Sequence, residues 1–173
     1  MIASLPEYSF TALKVSSHRH ADDLSKDYDI IEETDRGGGN DTSRFLKAGA
    51  ARAFWIRAER IEAALPAVLA IIDDSSSAVI EGNGVLDFID ADFSILVLNP
   101  AVAEFKESAR GVLARADALV FIKGTSKNAA MPEWENLLEL VPKNTPRFET
   151  GDPKIFPPAL TELLRFRFYG KKL

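Results

Sequence analysis

Four short stretches of the chain gather residue types able to hold a charged ligand. The first is Lys14-Val15-Ser16-Ser17-His18-Arg19-His20, where basic side chains and hydroxyls follow an apolar run. Such a cluster can grip a phosphate or sulfate, and it can equally be a solvated loop, since short basic clusters are common. The second is Gly37-Gly38-Gly39-Asn40-Asp41-Thr42-Ser43-Arg44. Glycines ahead of a helix start let backbone N–H groups face an anion, and Asp41 with Thr42 offers the hard oxygen ligands that magnesium prefers. The plainer alternative is a flexible loop ending in an ordinary N-cap. The third is Ala78-Val79-Ile80-Glu81-Gly82-Asn83. A carboxylate closing an apolar strand has the form of a Walker B element, which holds magnesium directly or through water; the alternative is a strand-end carboxylate facing solvent. The fourth is Lys123-Gly124-Thr125-Ser126-Lys127-Asn128, just past the apolar run ALVFI. Many nucleotide-binding folds place base-recognising residues there, although a polar surface loop is the simpler reading.

Other chemistries find little support. The phosphate-loop pattern G-x-x-x-x-G-K-[ST] is absent from the sequence. No Ser-His-Asp order stands out, and Asp87, Asp90 and Asp92 have no evident partner base. His18 and His20 are the only histidines, so one chain cannot build an all-histidine metal site. They can act as bases, but no nucleophile is visible beside them. There is no cysteine, which excludes disulfides, thiolate metal sites and thiol nucleophiles and suits a reducing compartment. Trp55 and Trp134 read as packing residues.

The elements that must position these groups alternate in type. Apolar runs predict strands at 10–16 (FTALKVS), 28–32 (YDIIE), 53–57 (AFWIR), 78–81 (AVIE), 93–98 (FSILVL) and 118–122 (ALVFI), with a short edge strand at 147–149. Helical spacing or capping signals predict helices from Asp41 to a stop at Gly49, over 59–72 with a kink or main start at Pro66, over 108–115, over 133–140 and over 158–168. Continuous apolar strands separated by helices imply an α/β fold, a mostly parallel sheet with helices on both faces. In such sheets ligands bind outside the carboxyl ends of the strands, which is where all the stretches above fall except the glycine run. The expectation is one domain over 1–173, with 142–173 an appendage packed on it.

A chain of 173 residues can bury a core without staples. A hydrophobic fraction of 46%, a charged fraction of 27% and a net charge of −5 fit a globular protein and argue against a general nucleic-acid binder. No secretory leader and no run of ~20 apolar residues is present, so the expected setting is cytoplasmic and away from the membrane.

Together, three segments resemble the molybdopterin-guanine dinucleotide biosynthesis protein B family of phosphate-loop NTPases. Ala12-Leu13-Lys14 with His18 and His20 is similar to the family's lysine-then-histidines strand end. Asp41-Thr42-Ser43-Arg44 followed by Lys47-Ala48-Gly49-Ala50 resembles its D-[ST]-x-[RW]…AGA helix, and Val79-Ile80-Glu81-Gly82 resembles its VEG strand end. The likeness spans most of residues 10–123. It implies a nucleotide-binding protein of GTP or ATP type, an adaptor in molybdenum cofactor assembly, with Mg2+ and GTP or ATP as cofactors of a full-length form and none in this chain as the alternative. It further implies Glu81 and Asp41 on the metal side, and Lys14, His18, His20, Thr42, Arg44 and Lys123 toward phosphate, nucleotide or a pterin-type ligand. The departure is the missing Walker A strand, loop and helix. The chain starts where that helix would end, so the fold is expected to be incomplete at its N-terminus, and without the Walker A lysine and backbone cradle most triphosphate affinity is expected to be missing. A sheet lacking that strand would expose an edge able to pair with a second copy or a partner protein. A non-catalytic binding or scaffold protein of the same fold is the alternative reading, and an unrelated enzyme using a histidine base ranks last.

Overall fold

The computed structural model describes residues 1–16, 27–99, 110–123 and 136–169. They form two compact units, Met1–Ile89 and Asp90–Leu173. The fold is α/β, with a mostly parallel sheet in the first unit and a parallel sheet in the second.

In the first unit a 3-10 turn, Ile2–Ser4, leads into strand β1 (Phe10–Ser16). Strand β2 (Tyr28–Glu32), helix α1 (Asp41–Lys47), strand β3 (Arg52–Ala58), helix α2 (Ile61–Asp73) and strand β4 (Ser77–Glu81) follow. The strand order is β2-β3-β1-β4. β1 runs parallel to both β3 and β4, while β2 is antiparallel to β3. Among the described residues β4 pairs with β1 alone and is an end strand.

Side chains alternate between the faces of a strand, and the register sorts this sheet into two unlike faces. Leu13, Val15, Phe54, Ile56 and Ala58 form one buried cluster with Ala64 and Val68 of α2, and Ile30 and Ile80 pack against it. The opposite face carries Ala12, Lys14 and Ser16 of β1 in register with Ala53, Trp55 and Arg57 of β3. Helix α1 lies on this second face, since its Asp41 reaches Lys14. Its first turn is capped by Asn40, whose Oδ1 accepts from Ser43 N at 2.7 Å, and Gly49 turns the chain out of it with φ of 104°. Pro66 neither ends nor starts α2, which runs through it. The carbonyl left without a donor is that of Glu62, on an exposed position where water can serve it.

In the second unit strands β5 (Ile95–Leu98), β6 (Ala118–Ile122) and β7 (Arg147–Thr150) pair in that order, all parallel, and helix α3 (Pro158–Tyr169) closes the described chain. Leu113, Leu119, Leu160 and Leu164 are fully buried. β5 begins two residues later than the apolar run predicts. Ser94 N–H donates to Asp117 Oδ2 at 2.8 Å, and its hydroxyl has the Arg115 carbonyl at 2.5 Å and Asp117 Oδ2 at 3.0 Å as acceptors for its one proton. The helix expected over 108–115 is described only from Arg110, and its last turn, Leu113–Arg115, is a 3-10 helix. Of the helix expected over 133–140, residues 133–135 lie outside the described residues and 136–138 are helical.

Candidate functional site

On the face of the first sheet opposite α2, one transverse row crosses all four strands: Ile31, Trp55, Lys14 and Glu81 are successive register partners. Lys14 and Glu81 stand near the carboxyl ends of two adjacent parallel strands, so both reach the same rim. The Lys14 ammonium donates to Glu81 Oε1 and also lies 3.3 Å from Asp41 Oδ2, at the start of α1. Arg44 Nη1, one helical turn on, is 3.3 Å from Asp41 Oδ1. Gly82 is what lets β4 end here. A Cβ at that position would lie 2.9 Å from the Val15 carbonyl, so a larger residue would push the Glu81 strand end away from β1. Burial works against the charge on Lys14, but its bonds to Glu81 and Asp41 prevail and hold the ammonium above its ordinary pKa.

The arm that presents Asp41 is tied down by Glu33, a residue the sequence did not single out. Glu33 Oε1 accepts from Thr34 N at 3.0 Å and Asp35 N at 2.9 Å, and Oε2 accepts from Asn40 Nδ2 at 3.0 Å. Thr42 Oγ1 lies 3.1 Å from Glu33 Oε2 and 3.0 Å from Asn40 Oδ1, and its single proton serves one of them at a time. Gly37 N donates to Asp35 Oδ1 at 2.7 Å. Gly38 packs so closely that a Cβ there would stand 2.4 Å from Ser43 Oγ. Within the glycine run, Gly37 is thus paired and Gly38 is crowded, while a Cβ at Gly39 would meet nothing within 4 Å. Gly37 N serves the Asp35 carboxylate and Ser43 N the Asn40 amide oxygen.

These bonds, led by the Asp35 amide and then Asn40, bring the Glu33 carboxyl down to about 2. A depressed carboxylate stabilises the fold fully above its unfolded value, near 4.5, and the gain fades as pH falls toward 2. Glu33→Gln is therefore expected to melt below wild type at neutral pH, with the gap narrowing between about pH 4.5 and pH 2. Paired thermal melts across that range check it, and a gap that widens with acid contradicts it.

The remaining residues picked out by sequence fall elsewhere. His18 and His20 lie outside the described residues, as do residues 124–128 of the fourth stretch. Lys123 belongs to the second unit, where its ammonium pairs with Glu149 Oε2 at 2.6 Å in a well-exposed ion pair; such pairs contribute little to stability. A shallow, open groove of about 650 Å³ in that unit is lined by Phe121, Arg147, Phe148, Glu149 and the start of α3, and none of the residues picked out by sequence line it.

Among the described residues no three carboxylate or histidine groups gather around a metal position. Asp41 and Glu81 nevertheless converge on a single cation, the Lys14 ammonium. Carboxylate oxygens are hard donors of the kind magnesium takes, and here both are engaged by the ammonium. Comparisons with protein-family models, with curated proteins and with solved structures return no match.

Proposed function

We propose that the first unit binds the phosphate end of a nucleotide of GTP or ATP type, as its magnesium complex, on the rim formed by Lys14, Asp41 and Glu81. The observation that supports this reading is the convergence of these three side chains, from β1, α1 and β4, on the carboxyl side of a parallel sheet. Charge decides the form of the ligand. Lys14 and Arg44 supply two positive charges against the three negative charges of Asp41, Glu81 and Glu33. A bare polyphosphate meets a site with one excess negative charge, whereas a magnesium complex brings its own counter-charge.

In the bound state Asp41 and Glu81 hold the metal, which neutralises phosphate charge, and Lys14 and Arg44 face the phosphate oxygens. Thr42, whose one proton goes to Glu33 or Asn40, helps hold the arm that presents Asp41. Roles for His18, His20 and Lys123 rest on the family resemblance, as does the wider reading of an adaptor in molybdenum cofactor assembly. The role proposed is nucleotide binding, and the setting proposed is the cytoplasm. Among the described residues no helix is long and apolar enough to cross a membrane.

Thermal unfolding with Mg-GTP and Mg-ATP tests the reading. A ligand at a hundred times its Kd stabilises by about 2.7 kcal/mol, so a rise in melting temperature is expected that disappears with EDTA or with Glu81→Gln. If both magnesium nucleotides leave the melt unchanged, the reading fails. A dimer seen by light scattering in the same samples, indifferent to nucleotide, supports the scaffold alternative instead. That reading is favoured by the position of β4, an end strand of sequence SAVIE whose interior carries no charge to guard its edge.

A further inference from the structure

The row that holds Lys14 and Glu81 does not stop at them. Trp55 is the register partner of Lys14 on its other side, and Ile31 follows on β2. Neighbouring strands lie about 4.8 Å apart, so a ligand resting on Lys14 is within one strand spacing of the indole. The next row toward the rim sets Asp29, Arg57 and Ser16 in register. Trp55 Nε1 donates to Ser16 Oγ at 3.0 Å, which satisfies the indole N–H and leaves the ring to act through its π surface. The Arg57 guanidinium stands 5.0 Å from the ring centroid and is held by Asp29 Oδ2 at 3.3 Å. Ile31 flanks the ring and is 42% exposed.

This composition is unlike the part of the same face beside α1, where Ala12 and Ala53 are fully buried and small. Toward the rim the small residues give way to an aromatic ring, a planar cation and an exposed aliphatic, the mixture that makes binding hot spots. Trp55 is half-buried, in a middle strand. A tryptophan needed only for the core has its place on the other face, among Phe54, Ile56 and α2.

We infer that Trp55, with Arg57 and Ile31, forms a subsite for a planar heteroaromatic ring that is joined to the phosphate chain held at Lys14, Asp41 and Glu81. The inference rests on the phosphate-end reading given above and adds the other end of the ligand. Its substrate class is a phosphate ester carrying a flat nitrogen heterocycle, not a polyphosphate alone. The ring lies against the indole and the guanidinium edge, and the phosphates run along the row toward Glu81.

The test uses the full chain with Trp134→Phe, which leaves Trp55 as its one tryptophan. Mg-GTP, Mg-tripolyphosphate and guanosine are titrated, reading tryptophan emission and, by calorimetry, affinity. Mg-GTP and guanosine are expected to change Trp55 emission. Stacking of a base on an aromatic ring is worth ~1–3 kcal/mol, so Trp55→Ala should weaken Mg-GTP by about 5- to 150-fold while tripolyphosphate binding holds within about twofold. Trp55→Phe keeps a ring and should recover much of the loss, which separates stacking from general damage to the sheet. Equal loss of GTP and tripolyphosphate in Trp55→Ala, or no loss of either, overturns the ring subsite and leaves the phosphate site standing. Guanosine quenching without any tripolyphosphate binding keeps the ring subsite and removes the phosphate reading beneath it. No response to any of the three removes both.

Discussion

Replacing Leu13 by alanine is expected to lower the stability of the chain by about 2–5 kcal/mol, the range for a leucine emptied out of a packed core. Leu13 is fully buried in β1, an inner strand, with Phe54 and Ile80 as its register partners and Ala64 and Val68 of α2 in the same cluster. Ala64 and Val68 are short, so the leucine fills the space that lets α2 lie close to the sheet. Ile61, Ile71 and Ile72 of α2 pack against the same cluster, so how far they shift into the gap sets where in that range the loss falls. For a chain of this length 1 kcal/mol corresponds to roughly 2–4 °C in melting temperature, so a fall on the order of 10 °C is the expected reading. Leu13→Met keeps most of the volume and should cost less than about 1.5 kcal/mol. Urea or thermal melts of both variants decide it. Equal, small effects from the two would mean that α2 does not lean on this part of the sheet.

The neighbour relation between Leu13 and Lys14 also shows what could be read from the sequence. Strands 10–16, 28–32 and 118–122 match their observed limits because each apolar run is bounded by polar or glycine residues. Gly49 marked the end of α1, and of the two candidate caps, Asn40 and Asp41, the structure uses Asn40. Lys14 and Glu81 could be expected to meet, since each is a charged residue late in an apolar strand and parallel strands send their carboxyl ends to one rim. Other features needed the register. Continuous apolar character made the first strand look buried on both faces, yet its alternate positions lead to unlike surroundings, α2 on one side and the Lys14 row on the other. Trp55 belongs to that row only because Trp55 pairs with Lys14, and nothing in AFWIR announces the pairing. Glu33 binds groups one, two, seven and nine residues ahead across an irregular loop, a pattern with no period to detect. The antiparallel entry of β2 is hidden for the same reason: a five-residue strand reads alike in either direction.

Lys14→Met should expose how the rim balances charge. The ammonium touches both Asp41 and Glu81. Its side chain is 25% exposed, whereas the carboxylates are 45% and 49% exposed, so solvent screens much of the attraction. Removing it leaves two negative groups sharing one rim, and a loss of about 1–2 kcal/mol at low salt is expected, smaller as salt rises. Adding Glu81→Gln to Lys14→Met relieves the repulsion and should restore part of that loss, a coupling that a double-mutant cycle measures directly. The pH dependence has a definite sign. A lysine whose folded pKa is raised contributes fully below its unfolded value near 10.5 and loses that contribution as pH climbs beyond it. The gap between wild type and Lys14→Met should thus be level from neutral pH to about pH 10 and close above that. The variant also makes a prediction about metal. With the internal cation gone, Asp41 and Glu81 retain two hard-oxygen groups on a common point, and Mg2+ should raise the melting temperature of Lys14→Met more than that of wild type. Sodium chloride at matched ionic strength is the control, because screening acts on both proteins without ligation. If magnesium and sodium salts act alike on the variant, the two carboxylates are merely neighbours held by a lysine, and the rim is not arranged to take a divalent ion.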